Sequence, residues 1–177
     1  MPDFPFQEYK SPDNRDVRND KHERNPARHT FQFTFTVRAS ITEVAQFHRD
    51  TNTLRQLTPP PIWVQFHSVE PMSEGSLSDF TLWFAVIPLR WKARHDKIDA
   101  LHGFRDTQVE GPMLRWEHTH SFTEESATVT RISEQIVYEH AKGVQGLFTR
   151  LLFNSLGLKM NFLYRCVITR RLLERGV

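Results

Sequence analysis

Between Ile62 and Tyr138 the chain alternates apolar and polar residues with a period of two in six consecutive segments, and the separators between them are short. The segments are Ile62–Val69, Ser76–Val86, Arg90–Ile98, Gly103–Glu110, Leu114–Phe122 and Ala127–Tyr138. Glu74-Gly75, Pro88, His102-Gly103, Gly111-Pro112 and Glu124-Glu125-Ser126 punctuate them. Connections this short cannot carry a crossover, so successive strands are predicted to be antiparallel neighbours. At Gly143 the period changes to helical and stays so to about Glu174.

The same logic extends upstream. Phe31, Phe33, Phe35 and Val37 alternate with Gln32, Thr34 and Thr36, which predicts a first strand. Ser40 then caps a short helix, with Glu43 completing a capping box and Val44, Phe47 and His48 on its inner face. A second helical turn, Thr51 to Gln56, stops before Pro59-Pro60-Pro61, because proline lacks a donor and forces its predecessor into extended geometry. The order is one strand, two short helices, six strands and one long helix. A seven-stranded antiparallel sheet coils too strongly to lie flat. It is expected to wrap around the C-terminal helix and leave a cavity, with the short helices closing one end: an α+β helix-grip architecture.

The final helix is expected to lay Leu152, Phe153, Leu156, Met160, Leu163 and Val167 on the sheet, with Gly157 as the point where it could bend. Arg165 shares the other face with Asn154 and Asn161 and is expected at the solvent. The functional alternative makes it an anchor for an acidic head group or a partner of Asp106. Residues 30–175 form the predicted domain. Residues 1–29 carry twelve charged side chains and four prolines, so they are expected to be a disordered or extended tail that Phe4, Phe6 and Tyr9 could pin down.

Cys166 is the only cysteine, which excludes an internal disulfide and zinc sites built on paired thiolates. With no long apolar run and no basic, apolar leader in MPDFPFQEYK, a soluble cytoplasmic protein without integral membrane association is expected. Charge is uneven: residues 30–142 hold fourteen acids and eleven bases, residues 143–177 one acid and six bases. A net negative sheet repels phosphate, so nucleic acid is not an expected partner. Arg170, Arg171 and Arg175 suit the negative end of a helix dipole; transient contact with a membrane or protein is the alternative.

The chemistry concentrates in Gly103–Phe122, GFRDTQVEGPMLRWEHTHSF. Around a turn at Gly111-Pro112, Phe104, Asp106 and Gln108 share a face with Leu114, Trp116, His118, His120 and Phe122. The expected register sets Asp106 opposite Trp116 and Phe104 opposite His118. Rings, imidazoles and a carboxylate converge, as in a small-molecule cavity rather than a dry core. The predicted ligand wall is Phe104, Asp106, Gln108, Trp116, His118, His120 and Phe122, with Trp91 from a neighbouring strand. Trp63 and Trp83, on separate strands, could add flat walls, and Trp83 is the weakest candidate, since it is out of step with Phe80, Leu82 and Phe84. His118 and His120 point the same way and could share a metal with Asp106 or His102. The reading adopted is no metal and no cofactor, the imidazoles bonding a carboxylate, water or ligand oxygen. Asp106 and His118 are the candidate acid–base pair should the chain catalyse.

Leu57-Thr58-Pro59-Pro60, Gly103-Phe104-Arg105-Asp106-Thr107-Gln108, Gly111-Pro112, Trp116-Glu117-His118-Thr119-His120-Ser121-Phe122 and Phe162-Leu163-Tyr164-Arg165 resemble the SRPBCC superfamily, which includes START domains, pollen-allergen-like proteins, polyketide cyclases and coenzyme-Q-binding proteins. The similarity is to its bacterial ligand-binding, cyclase/dehydrase-like branch over residues 30–173. Glu134 stands where that pattern has Asp, and His140-Ala141 replaces a proline-containing turn. The resemblance implies an internal cavity and does not separate carriers from catalysts. The expected function is binding of one small hydrophobic molecule, a lipid, quinone or polyketide-like aromatic. The alternatives are a cyclase or dehydratase using Asp106 and His118, and an interaction module acting through the basic helix. No glycine-rich phosphate loop, nucleophile elbow, CxxC or HExxH motif is present.

Overall fold

The computed structural model describes residues 28–174, so most of the predicted tail, with Phe4, Phe6 and Tyr9, and Arg175 lie outside it. Seven strands form one antiparallel sheet: β1 (His29–Val37), β2 (Ile62–Val69), β3 (Leu77–Phe84), β4 (Ile87–Asp99), β5 (Gly103–Glu110), β6 (Met113–Ser126) and β7 (Val129–His140). Their order is β1-β7-β6-β5-β4-β3-β2, so each turn-linked pair from β2 onward is adjacent and β1 lies against β7. Two helices, α1 (Ile41–Arg49) and α2 (Thr53–Gln56), follow β1; α3 (Gly143–Leu152) and α4 (Ser155–Leu173) end the chain. The curled, unclosed sheet and the C-terminal helix give the expected α+β helix-grip arrangement.

Local chemistry explains the elements. Ser40 accepts from the Glu43 amide while the Glu43 carboxylate accepts from the Ser40 amide at 2.8 Å, the reciprocal capping box. Val44 and His48 then face inward, both buried. At the start of β5, Gly103 has φ +135°, and a Cβ there would come within 1.9 Å of the His120 carbonyl oxygen. Only glycine lets β5 and β6 approach this closely.

Three expectations are corrected. The C-terminal helix is not continuous: it breaks at Phe153–Asn154, where the Asn154 side chain accepts from the Gly157 amide at 2.8 Å and starts α4 anew. Gly157 is therefore not a bend. It sits where a Cβ would meet the Leu152 carbonyl at 2.6 Å. The break resets the helical phase, so the buried face of α4 is Leu158, Phe162, Cys166 and Thr169. Leu156, Met160, Leu163 and Val167, expected on the sheet, are exposed. Finally, the β5–β6 register pairs Phe104 with His120 and Asp106 with His118. Moving the turn centre by one residue moves each partner by two, which preserves the shared face. A register shift between Met113 and Arg115 then breaks the alternation, burying Met113 and exposing Leu114.

The concave side of the sheet has two ends. At one, Phe35, Val37, Val44, Phe104, Phe122 and Ile132 pack into a closed cluster beneath α1 and against Cys166 of α4. At the other, a second cluster built on Phe80, Trp91, Ile136, Leu158 and Phe162 borders open space.

Candidate functional site

A cavity of about 740 Å³ lies between the sheet, the α2 loop and the α3–α4 junction. Its walls are mainly rings. Trp91 meets Trp116 edge to face at 5.3 Å between centroids, Phe153 from the helix break approaches Trp116 at 5.5 Å, and Phe80 stacks on Trp91 at 6.4 Å. Leu54, Leu57 and the Pro59–Pro61 run supply a wall from the α2 side. These positions follow from period two: Phe80, Leu82 and Phe84 all point inward, whereas Trp83 stacks on the exposed Trp63 at 5.2 Å on the outer face.

Polar side chains collect at the end of the cavity nearest the packed cluster. They form one chain of contacts across five neighbouring strands. Ser78 on β3 meets His95 Nε2 at 2.9 Å, and His95 Nδ1 meets Asp106 Oδ1 at 2.5 Å. Asp106 Oδ2 lies 3.3 Å from His120 Nε2. Glu134 on β7 puts Oε2 2.8 Å from His118 Nε2 and 2.8 Å from His120 Nδ1. The second of these contacts has ion-pair distance without hydrogen-bond geometry, leaving His120 Nδ1 buried and unpartnered. His48 covers the group from α1, its ring 6.0 Å from that of His120 and its Nδ1 2.9 Å from the Val44 carbonyl oxygen.

Burial and mutual charge separate these groups. Burial, reinforced by the neighbouring His120, lowers His118 to a pKa of about 4, and burial lowers His48 to about 4. Burial also works against a charged His120, but the fields of Glu134 and Asp106 overcome it and raise its pKa to about 9. Desolvation opposes ionisation of Asp106 and Glu134. Hydrogen bonds and charge from His120 and His95 for the former, and from His120 and His118 for the latter, hold both carboxyls below the ordinary range. Arg165 faces the cavity, its guanidinium 5.2 Å from the Phe162 ring centroid, and desolvation lowers its pKa against the pull of Glu134 and Asp106.

Of the eight predicted wall residues, Phe104, Asp106, Trp116, His118, His120 and Trp91 border the cavity. Gln108 does not: its amide closes the hairpin, Nε2 donating to the Met113 carbonyl at 2.9 Å and Oε1 accepting from the Met113 amide. Phe122 packs under α1, 4.9 Å from the His48 ring, as part of the closed cluster. Asp106 and His118 face each other across β5 and β6 but do not bond as the expected acid–base pair. Asp106 takes His95 and His120, and His118 takes Glu134. His102 is exposed in its turn and bonds Asp99, away from the other imidazoles. Arg165 lies on the cavity rather than at the solvent, for the same change of helical phase that exposes Leu156 and Met160.

Sequence reasoning passed over His48, His95 and Glu134 as site residues. His95 was accessible, since it continues the inward parity of Trp91 and Ala93. The helical spacing places His48 on the inner face of α1 but carries no sign of its role. Glu134 has a legible signal, since a carboxylate at an inward strand position is costly without partners.

No protein-family model matches the chain, and no curated protein matches it. Solved structures do. The Zhui aromatase/cyclase from Streptomyces sp. R1128 superposes with a TM-score of 0.67 at 17% identity, covering 84% of this chain and 94% of that one. The chain shares the helix-grip fold of this structure. A START superfamily protein from Mycobacterium smegmatis gives a TM-score of 0.63 at 11% identity, covering 84% and 99% of the two chains. The protein Ara h 8.0201 gives 0.54 at 12%, covering 80% and 98%. At these identities the likeness speaks for the helix-grip fold and leaves the site to be argued from its own residues.

Proposed function

We propose that this protein binds one small, largely hydrophobic molecule in the cavity between the sheet and α4, its polar end directed at the His95–Asp106–His120–Glu134 chain. The observation that carries the reading is the cavity itself: about 740 Å³, walled by Phe80, Trp91, Trp116 and Phe153, with the histidine–carboxylate chain at one end. Pockets for drug-sized ligands span roughly 300–1,000 Å³ and have this division of labour. Apolar burial at about 25 cal/mol per Å² supplies the affinity, and the polar end sets orientation. Flat ring walls favour a polycyclic, quinone or polyketide-like ligand over a single flexible acyl chain, because rings stack on rings. The likeness to an aromatase/cyclase supports the same ligand class.

Native mass spectrometry of the purified protein, followed by displacement of a cavity-directed dye, tests this. Saturable binding to wild type that Ala93→Phe abolishes is the expected result, since Ala93 is buried against the cavity. No copurifying ligand, together with dye binding that Ala93→Phe and Trp116→Ala leave unchanged, overturns it.

A second reading rests on a separate observation. Leu147, Leu151, Leu156, Met160 and Val167 are each more than 60% exposed along α3 and α4, among the exposed Arg150, Lys159, Arg170 and Arg171. An apolar stripe edged by cations suits an anionic membrane surface from which a hydrophobic ligand could be drawn. Among the described residues no helix is long and apolar enough to cross a membrane, so the contact is peripheral. Cosedimentation with phosphatidylserine vesicles that falls with rising salt supports it. Equal binding to neutral vesicles, or self-association through the stripe, removes it.

A further inference from the structure

We infer that His48, His120 and Glu134 form a binding site for a divalent first-row transition-metal ion at the polar end of the cavity. This goes beyond the ligand reading and does not depend on it. Three elements supply the donors, α1, β6 and β7, all three residues are buried, and one ligand atom from each lies within 4.8 Å of the others.

Three further observations distinguish this group from a fortuitous cluster. The first is how each imidazole uses its other nitrogen. His48 Nδ1 is 2.9 Å from the Val44 carbonyl oxygen, an acceptor only, so Nδ1 carries the proton and Nε2 presents a lone pair. His120 Nε2 faces the Asp106 carboxylate, and Asp106 is held in turn by His95, whose other nitrogen meets Ser78. Metal-binding histidines are fixed in this manner, one nitrogen on a carbonyl or carboxylate and the other on the ion.

The second is His120 Nδ1, buried and without a hydrogen-bond partner although Glu134 Oε2 is only 2.8 Å away. Without an ion the two carboxylates keep that ring protonated, and an ion takes the place of its Nδ1 proton. Two donors about 2.0–2.2 Å from one ion sit about 3 Å apart, so the spacing of His120 Nδ1 and Glu134 Oε2 already fits a shared cation.

The third is charge. Glu134 is buried and Asp106 is a quarter exposed, and the two carboxylates flank His120, one at each ring nitrogen. Carboxylates flanking an imidazole favour any cation at that point, and a divalent ion neutralises both. His118 bonds the same Glu134 and so orients it.

The alternative set of Asp106, His118 and His120 also lies within reach. It is disfavoured because His118 Nε2 is already committed to Glu134 and Asp106 to two imidazoles. Two imidazoles and one carboxylate leave positions free for water or for a ligand oxygen. His48 and His120 border the cavity, so those free positions are reachable by whatever occupies it.

The test uses the full chain, treated with chelator and then titrated at pH 8 with Co²⁺ and Zn²⁺. One equivalent of Co²⁺ is expected to produce visible d–d absorption that Zn²⁺ displaces. His120→Gln and His48→Gln should abolish the band, and Asp106→Asn should weaken binding by about 10- to 100-fold. His102→Gln, an exposed histidine in a turn, should change nothing. Ala93→Phe, which fills the apolar part of the cavity, should retain the metal, so failure of the ligand reading and failure of the metal reading give different results. Absence of a d–d band and of stoichiometric zinc in wild-type protein overturns the proposal. A band that persists in His120→Gln also overturns it. Circular dichroism confirms that each variant is folded, and the wild-type titration decides the matter even where a variant is not.

Discussion

The two ends of the sheet's concave face share β6 and β7 yet differ in what fills them. Beneath α1, Val37, Val44 and Ile132 are almost completely inaccessible and aliphatic side chains interlock with Phe35, Phe104 and Phe122. Beside α2 and the helix break, β3, β4 and β6 present Phe80, Trp91 and Trp116, which touch mostly each other and stand around open space. Compact aliphatics close a curved surface, while rigid rings meeting edge to face hold one another off it. The closed end is therefore expected to carry the stability and the hollow end the binding. The histidine–carboxylate chain lies on the border between them.

The sharpest way to break this division is to compare truncations at each end. Ile132→Ala removes side-chain atoms from a fully buried site and is expected to lose about 2–5 kcal/mol of unfolding free energy. Leu82→Ala on the cavity wall enlarges a space already present and should lose clearly less, about 1 kcal/mol. Urea denaturation measures both, and equal losses would mean that the hollow end is packed in solution. Phe162 lines the cavity and reaches both regions through Phe33, which packs against both clusters and whose ring is 6.0 Å from that of Phe162. Phe162→Ala should therefore combine a loss of about 3–5 kcal/mol with a change in dye binding.

Trp116→Ala sharpens the comparison from the other side. Trp116 is half-buried and joins Trp91 to Phe153 across the cavity. Its removal is expected to weaken cavity-dye binding by about tenfold, a difference of about 1.4 kcal/mol, while stability falls less than in Ile132→Ala. A fluorescence titration set beside a denaturation curve checks the two outcomes together.

How much of this could be read in the sequence follows from which interactions were local. Strand alternation is a local signal, and it placed Phe104, Asp106, Trp116, His118 and His120 on one face and turned Trp83 away. The capping box at Ser40 and Glu43 was equally legible, being contained within four residues. Side-chain pairing was not, because the diagonal between strands decides it. Asp106 lies opposite His118 but bonds His120, two residues further on, so a register argument alone names the wrong partner. Helical phase was also lost. Asn154 stops one helix and caps the next, and α4 is apolar on more than one side, so a wheel drawn through the break selected the exposed stripe and sent Arg165 to the solvent.

Ser40→Ala is a smaller perturbation, expected to cost about 1 kcal/mol by removing the cap that starts α1 over the closed end. Thermal unfolding should register the loss while dye binding stays unchanged, since Ser40 does not border the cavity.

The smallest effect is expected at Leu156, and it discriminates between the two descriptions of the C-terminal helix. If the unbroken wheel held, Leu156→Ser would place a hydroxyl against the sheet and destabilise the protein as a core substitution does. With the phase reset at Asn154, Leu156 is 69% exposed, on the side of α4 opposite Leu158 and Phe162. The substitution should then leave unfolding free energy within about 0.5 kcal/mol of wild type. The same variant should still reduce cosedimentation with phosphatidylserine vesicles if the stripe contacts a membrane, because the apolar area it removes is area the folded chain leaves uncovered. A destabilised Leu156→Ser would restore the continuous helix and withdraw Arg165 from the cavity. A stable variant that binds vesicles like wild type would keep the fold and remove the membrane from the function of α4.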